Sequence, residues 1–79
     1  MISLKIRLST IEDVKCFVNT ASIADFDIDL SSGRYTVDAK SIMGIFSLDL
    51  TKEITARVYT DDEARLGALR EKLAKFIVT

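Results

Sequence analysis

In four separate segments of this 79-residue chain, apolar and polar side chains alternate one for one. Ile2, Leu4, Ile6 and Leu8 are interleaved with Ser3, Lys5, Arg7 and Ser9; Phe26, Ile28 and Leu30 with Asp27 and Asp29; Ile54, Ala56 and Val58 with Thr55, Arg57 and Tyr59. Tyr35, Val37 and Ala39 keep the same spacing. A period of two sends successive side chains to opposite faces of a strand, so each segment predicts a strand with one dry and one wet face. The turn residues Ser31-Ser32-Gly33-Arg34 make the second and third a hairpin. Strands wet on one side belong to an antiparallel sheet that is covered on its other face only.

The cover comes from the stretches between. Val14, Phe17, Val18 and Ala21 recur at helical spacing, which puts Glu12, Cys16 and Asn19 on the opposite side, toward solvent, with Lys15 at the margin. Two capping registers open this helix, Ser9 with Glu12 or Thr10 with Asp13. Ser41 caps a second helix that is expected to end near Asp49 or Leu50. Thr60 with Glu63 reads as the box that starts the last helix, striped by Leu66, Leu69, Leu73, Phe76 and Ile77, with Glu71 and Lys75 spaced for an ion pair. The order strand, helix, strand, strand, helix, strand, helix describes one α+β domain over residues 1–79, with one sheet layer and one helix layer. A ferredoxin-like sheet with an extra terminal helix shares that alternation, and the pattern does not separate the two.

Charge and composition narrow the function. Eleven Lys and Arg against twelve Asp and Glu leave a net charge of −1, without the basic field that holds nucleic acid. No stretch approaches the ~18 apolar residues of a membrane span, and the amino terminus lacks the apolar run of a signal peptide, so a cytoplasmic location is expected. The chain has no His and a single Cys, Cys16. An intramolecular disulfide and a Cys/His zinc site are thereby excluded, no cofactor is expected, and the side chain best suited to proton transfer near neutrality is missing. Asp25, Asp27 and Asp29 occupy successive outward positions of one strand, point the same way and do not converge on a metal; they read as a solvated face that can pair with cationic neighbours. No enzyme is implied.

Residues 40–50 exceed what a small core requires. If Ile45, Leu48 and Leu50 share the buried face of the second helix, Ile42, Met43 and Phe46 cannot all join them, and some large apolar groups reach solvent. Apolar groups clustered at a helix start suggest a docking surface for a protein partner.

With this element order and Lys40-Ser41-Ile42-Met43-Gly44 in view, the sequence resembles HPr, the small phosphocarrier family of the bacterial sugar phosphotransferase system. Asn19-Thr20-Ala21-Ser22 and the hairpin after it support the likeness, which covers nearly the whole chain. It implies an open-faced sandwich, four antiparallel strands with three helices on one face (βαββαβα). The family's phosphoryl-accepting His stands at the start of the first helix, followed two residues later by an Arg. Aligned back from Asn19 without gaps, Thr10 takes the His position, Glu12 the Arg position, and Asp13 stands where the family has Pro. A phosphothreonine is a stable ester and a poor carrier, and Glu12 repels the charge that a cation would stabilise. No catalytic residue is therefore expected, with Thr10 left as a helix cap.

Ser41 matches the position that a dedicated kinase phosphorylates in some relatives, at a helix start where a phosphate is physically favoured. The residues matching Ile42, Met43 and Phe46 dock partners in the family. The expected function is thus a regulatory protein-binding module, a monomer that engages its partner through Ile42, Met43 and Phe46 with Ile11, Glu12, Lys15 and Asn19 around them. The alternative is a signalling protein switched at Ser41, and true phosphotransfer comes last. Because Glu12 and Asn19 replace positions that tend to be cationic in relatives, partners of the phosphorelay type are disfavoured. Asp49, in place of a family Gly, is expected at a helix end that tolerates left-handed backbone.

Overall fold

The computed structural model describes residues 2–78. Strand β1 is Ile2–Ile6, helix α1 Ile11–Ile23, β2 Ile28–Ser32, β3 Tyr35–Asp38, α2 Ile42–Phe46, β4 Ile54–Val58 and α3 Glu63–Leu73, with a 3-10 turn at Ala74–Phe76. The strands form one antiparallel sheet in the order β1-β4-β2-β3. The sheet is the one the alternation predicts, and its order matches the open-faced arrangement rather than leaving the choice open.

Register follows from the period of two. Leu4 pairs with Ala56, Ala56 with Leu30, and Leu30 with Val37, so one row of apolar side chains crosses the whole sheet toward the helices. Ile6, Leu8, Val14, Phe17, Ile28, Leu30, Ile45, Ile54, Val58 and Leu73 are fully buried in the resulting core. Burying each such side chain is worth about 1.5–3 kcal/mol. Phe17 of α1 meets Phe76 edge to face, ring centroids 6.1 Å apart, and so ties the first helix to the end of the chain.

The other face of the sheet is polar. Ser3, Arg57, Asp29 and Asp38 form one row across it, and Lys5, Thr55, Ser31 and Thr36 the next. The Tyr59 hydroxyl donates to Asp29 Oδ2 at 2.8 Å, which raises the phenol pKa above its usual value, and Arg65 pairs with Asp25. Among the described residues no group of three ligating side chains is arranged for a metal ion. No helix among them is long and apolar enough to cross a membrane.

Several local expectations are corrected. α2 stops at Phe46 with Ser47 as its cap, short of Asp49, because Ser47 donates its backbone N–H to Gly44 O and Ile45 O and closes the turn early. Asp49 is no left-handed helix end: no non-Gly residue among those described has positive φ, and Asp49 Oδ1 instead accepts the N–H and hydroxyl of Thr51. The cap of α3 is Asp62, not Thr60; its Oδ1 takes the N–H groups of Ala64 and Arg65 at 3.0 and 3.2 Å, a carboxylate acceptor two residues closer to the helix. Cys16 is half-buried against the core rather than facing solvent. Lys75 is seated over the Phe76 ring, 5.1 Å from its centroid, and not against Glu71.

Candidate functional site

Two helix starts carry the residues singled out by the sequence, and α1 and α2 pack against each other. At α1 the choice between capping registers falls to Thr10. It is extended (φ −126°, ψ 165°), and its Oγ1 accepts the Asp13 N–H at 3.1 Å. Asp13 Oδ2 in turn accepts two backbone donors, Ser9 N–H at 3.0 Å and Thr10 N–H at 3.2 Å. The Ser9 N–H bond is the main reason the Asp13 carboxyl sits below its ordinary pKa; loss of solvent works against it, while Thr10 and the charge of Lys75 add to it.

The chemistry of this helix start follows. The N–H groups of Ser9 and Thr10 are committed to the Asp13 carboxylate, and that of Asp13 to Thr10 Oγ1. Glu12, 84% exposed at its side chain, adds a second negative charge in the same turn and reaches Lys15 at 3.9 Å. The Thr10 hydroxyl is held as an acceptor, and no imidazole exists in the chain to activate it. Beside the turn, Arg7, Ser9, Asp13 and Lys75 line a shallow cleft with Phe76, Ile77 and Val78.

At α2 the geometry is set by Ser41 and Gly44. Ser41 is extended and its Oγ accepts the Gly44 N–H at 3.2 Å. A Cβ on Gly44 would lie 3.1 Å from Ser41 Oγ and 3.2 Å from Val37 Cβ, so glycine lets the first turn of α2 sit close against β3. The wheel divides as its argument requires, since the three large apolar groups do not all join the core. Ile45 is fully buried, Met43 is 77% exposed and Phe46 41%. Ile42 is half-buried and packed against the core, so the exposed pair on α2 is Met43 and Phe46. On the neighbouring α1, Ile11 is 61% exposed, and Glu12, Lys15 and Asn19 also face solvent. At these two helix starts the exposed apolar groups are therefore Ile11, Met43 and Phe46, with Glu12, Lys15 and Asn19 exposed along α1.

Sequence reasoning missed two features. The Asp13 carboxylate takes the N–H of Ser9 as well as that of Thr10, which the capping pattern does not announce. Ile23, at the end of α1, is also largely exposed; its offset from Val14, Phe17 and Ala21 on a wheel was the signal available.

The family described as "PTS HPr component phosphorylation site" matches residues 14–78, most of the chain. The chain belongs to the HPr family. The match begins just after Thr10, Glu12 and Asp13. Among solved structures the chain is similar to HPr-C-His from Thermoanaerobacter tengcongensis (28% identity, 95% of this chain and 92% of that one, TM-score 0.75). It is also similar to the phosphocarrier protein HPr of Bacillus anthracis str. Ames (30% identity, 90% and 94% covered, TM-score 0.62). A third likeness is to Crh, a catabolite repression protein of Bacillus subtilis whose structure shows domain swapping in a dimer (26% identity, 94% and 88% covered, TM-score 0.64). The comparison with curated proteins finds no match. HPr proteins are phosphocarriers rather than enzymes, and they work by contact with other proteins of the phosphotransferase system.

Proposed function

We propose that this HPr-family chain is a regulatory protein-binding module, cytoplasmic and monomeric at rest, that no longer carries a phosphoryl group. The observation that supports it most is the start of α1. The chain has no His, Thr10 stands at the position of the family's acceptor, and the adjoining backbone donors are turned to Asp13. Binding remains a physical opportunity, since Ile11, Met43 and Phe46 stay exposed on two packed helices where a monomer gains nothing from wetting them. Ile42, Glu12, Lys15 and Asn19 complete the proposed surface. The likeness to Crh, a protein of catabolite repression, favours regulation over transport.

Two measurements test this reading. Incubated with phosphoenolpyruvate and the first enzyme of the phosphorelay, the protein is expected to keep its mass; gain of one acid-labile phosphate would overturn the loss of carriage. A Met43→Glu, Phe46→Glu double variant changes only exposed groups and is expected to fold normally. It should lose a partner that the unaltered protein retains in pull-downs, and equal retention would remove the docking surface.

A second reading makes Ser41 the switch. Its hydroxyl is exposed at the start of α2, and a phosphate added there would bring about two negative charges beside Met43 and Phe46. A mass increase of one phosphate with kinase and ATP, absent in Ser41→Ala, is the result this reading expects.

A further inference from the structure

The helical layer has a second opening, away from the starts of α1 and α2. Ile23 ends α1 with 73% of its surface exposed, about 18 Å along that helix from Ile11. It lines a cleft of about 300 Å³ between the end of α1, the turn into β2 and α3, whose other apolar walls are Ala24, Phe26, Ala68 and Leu69. That volume is at the lower end of the range that holds small ligands, and mostly apolar walls with a few polar groups are the usual make-up of such sites.

The polar groups around the cleft are unevenly committed. Thr20 donates its hydroxyl to Cys16 O at 3.0 Å. Asp25, the one carboxylate in the lining, takes Arg65 Nη1 on its Oδ2, and Arg65 Nε reaches Asp62 Oδ2 at 3.3 Å, so this guanidinium already lies between two carboxylates. Lys40 Nζ donates to Ala24 O at 3.3 Å, which satisfies a carbonyl at the end of α1. Lys72 is exposed and pairs with no group among the described residues. It stands two turns of α3 beyond Arg65, about 10 Å along the helix.

We propose that this cleft binds a small amphipathic carboxylate, its apolar body laid over Ile23, Phe26, Ala68 and Leu69 and its carboxylate on Lys72 Nζ. Covering Ile23 supplies apolar burial that the chain does not provide for itself. A cationic ligand would meet Lys72, and a neutral one would leave the ammonium without a partner. A phosphate dianion fits less well than a carboxylate, because one ammonium matches one charge while Asp25 and Asp62 hold Arg65 against supplying a second. The separation of Lys72 from Arg65 sets the length of the apolar body at about 10 Å.

Octanoate is the probe, titrated into the intact protein and followed by backbone amide shifts. Saturable shifts confined to the surroundings of Ile23, Phe26, Ala68 and Lys72 are expected, with a Kd of about 0.1–1 mM, as suits a ligand of about ten heavy atoms. Lys72→Gln should weaken octanoate about threefold to fivefold, the range of an exposed ion pair, and leave the binding of 1-octanol unchanged. Ala68→Phe places a ring in the cleft from an exposed helical position and should abolish octanoate binding with the melting temperature retained. The proposal is overturned by the absence of saturable shifts, by shifts centred on Ile11, Met43 and Phe46 instead, or by an octanoate Kd that Lys72→Gln does not change. Tighter binding of octyl phosphate than of octanoate would likewise overturn the assignment to a carboxylate.

Discussion

A single carboxylate at Asp13 holds the start of α1 by accepting the N–H groups of Ser9 and Thr10, and its ionisation is therefore linked to folding. Its pKa is lowered in the folded chain, chiefly by the Ser9 N–H. A carboxyl whose folded pKa lies below its unfolded value stabilises the fold at pH above that unfolded value, about 3.9, and the contribution disappears as pH falls through the lower folded value. Asp13→Asn is thus expected to melt lower than the unaltered protein at pH 7, with the gap constant down to about pH 5 and narrowing below about pH 4. Thermal melts across pH 2–7 check this, and a gap independent of pH would show that Asp13 acts by shape alone. Gly44 makes a different residue-scale case. Ala is ordinarily favoured over Gly inside a helix by about 1 kcal/mol. At Gly44 the added Cβ meets Val37 Cβ at 3.2 Å and the capping Ser41 Oγ at 3.1 Å. The cap can move only by giving up its bond, and Val37 only by shifting β3, so Gly44→Ala is expected to lower the melting temperature rather than raise it.

At the scale of elements, the strands were legible because each is wet on one face, and the pattern of α1 was legible because Val14, Phe17 and Ala21 all reach the core. α2 was legible at its start and not at its end. Its termination depends on Ser47 closing onto Gly44 and Ile45, a local choice among neighbouring carbonyls that apolar periodicity does not encode. The cap of α3 was misplaced for a related reason. Thr60, Asp61 and Asp62 stand in succession, and pattern alone does not say which acceptor lies nearest the first free N–H groups; Asp62 does. Asp62→Ala is accordingly expected to cost about 1 kcal/mol in chemical denaturation, with Thr60→Ala costing less. Phe17 marks the contrast between a cap and a core contact. Phe17→Ala removes a fully buried ring and its edge contact with Phe76, and should cost about 3–5 kcal/mol, a large share of what a domain of this size has.

For the whole molecule, the sheet leaves one polar face and places the exposed apolar groups of α1 and α2 on the helical side, so the proposed docking surface is tuned by the charge around Ile11, Met43 and Phe46. Those apolar groups were visible in the sequence; that Ile42 folds inward was not, since its position depends on how closely Gly44 lets α2 approach β3. Charge is where this chain departs from what the family resemblance implies. Glu12 stands in the first turn of α1 where the family resemblance places an Arg, and its carboxylate is almost fully exposed. Facing a partner built to meet a cation, that carboxylate is repelled both in the encounter and in the complex. Glu12→Arg is therefore expected to raise affinity for the first enzyme of the phosphorelay by about tenfold, equivalent to about 1.4 kcal/mol. The gain should shrink as salt screens it, being largest near 50 mM and small at several hundred millimolar. Titration calorimetry at two salt concentrations measures both quantities. The variant should still accept no phosphate, because the charge reversal restores contact and not the acceptor. An affinity that stays flat at low salt would place the barrier to the relay in the shape of the α1 start rather than in its charge.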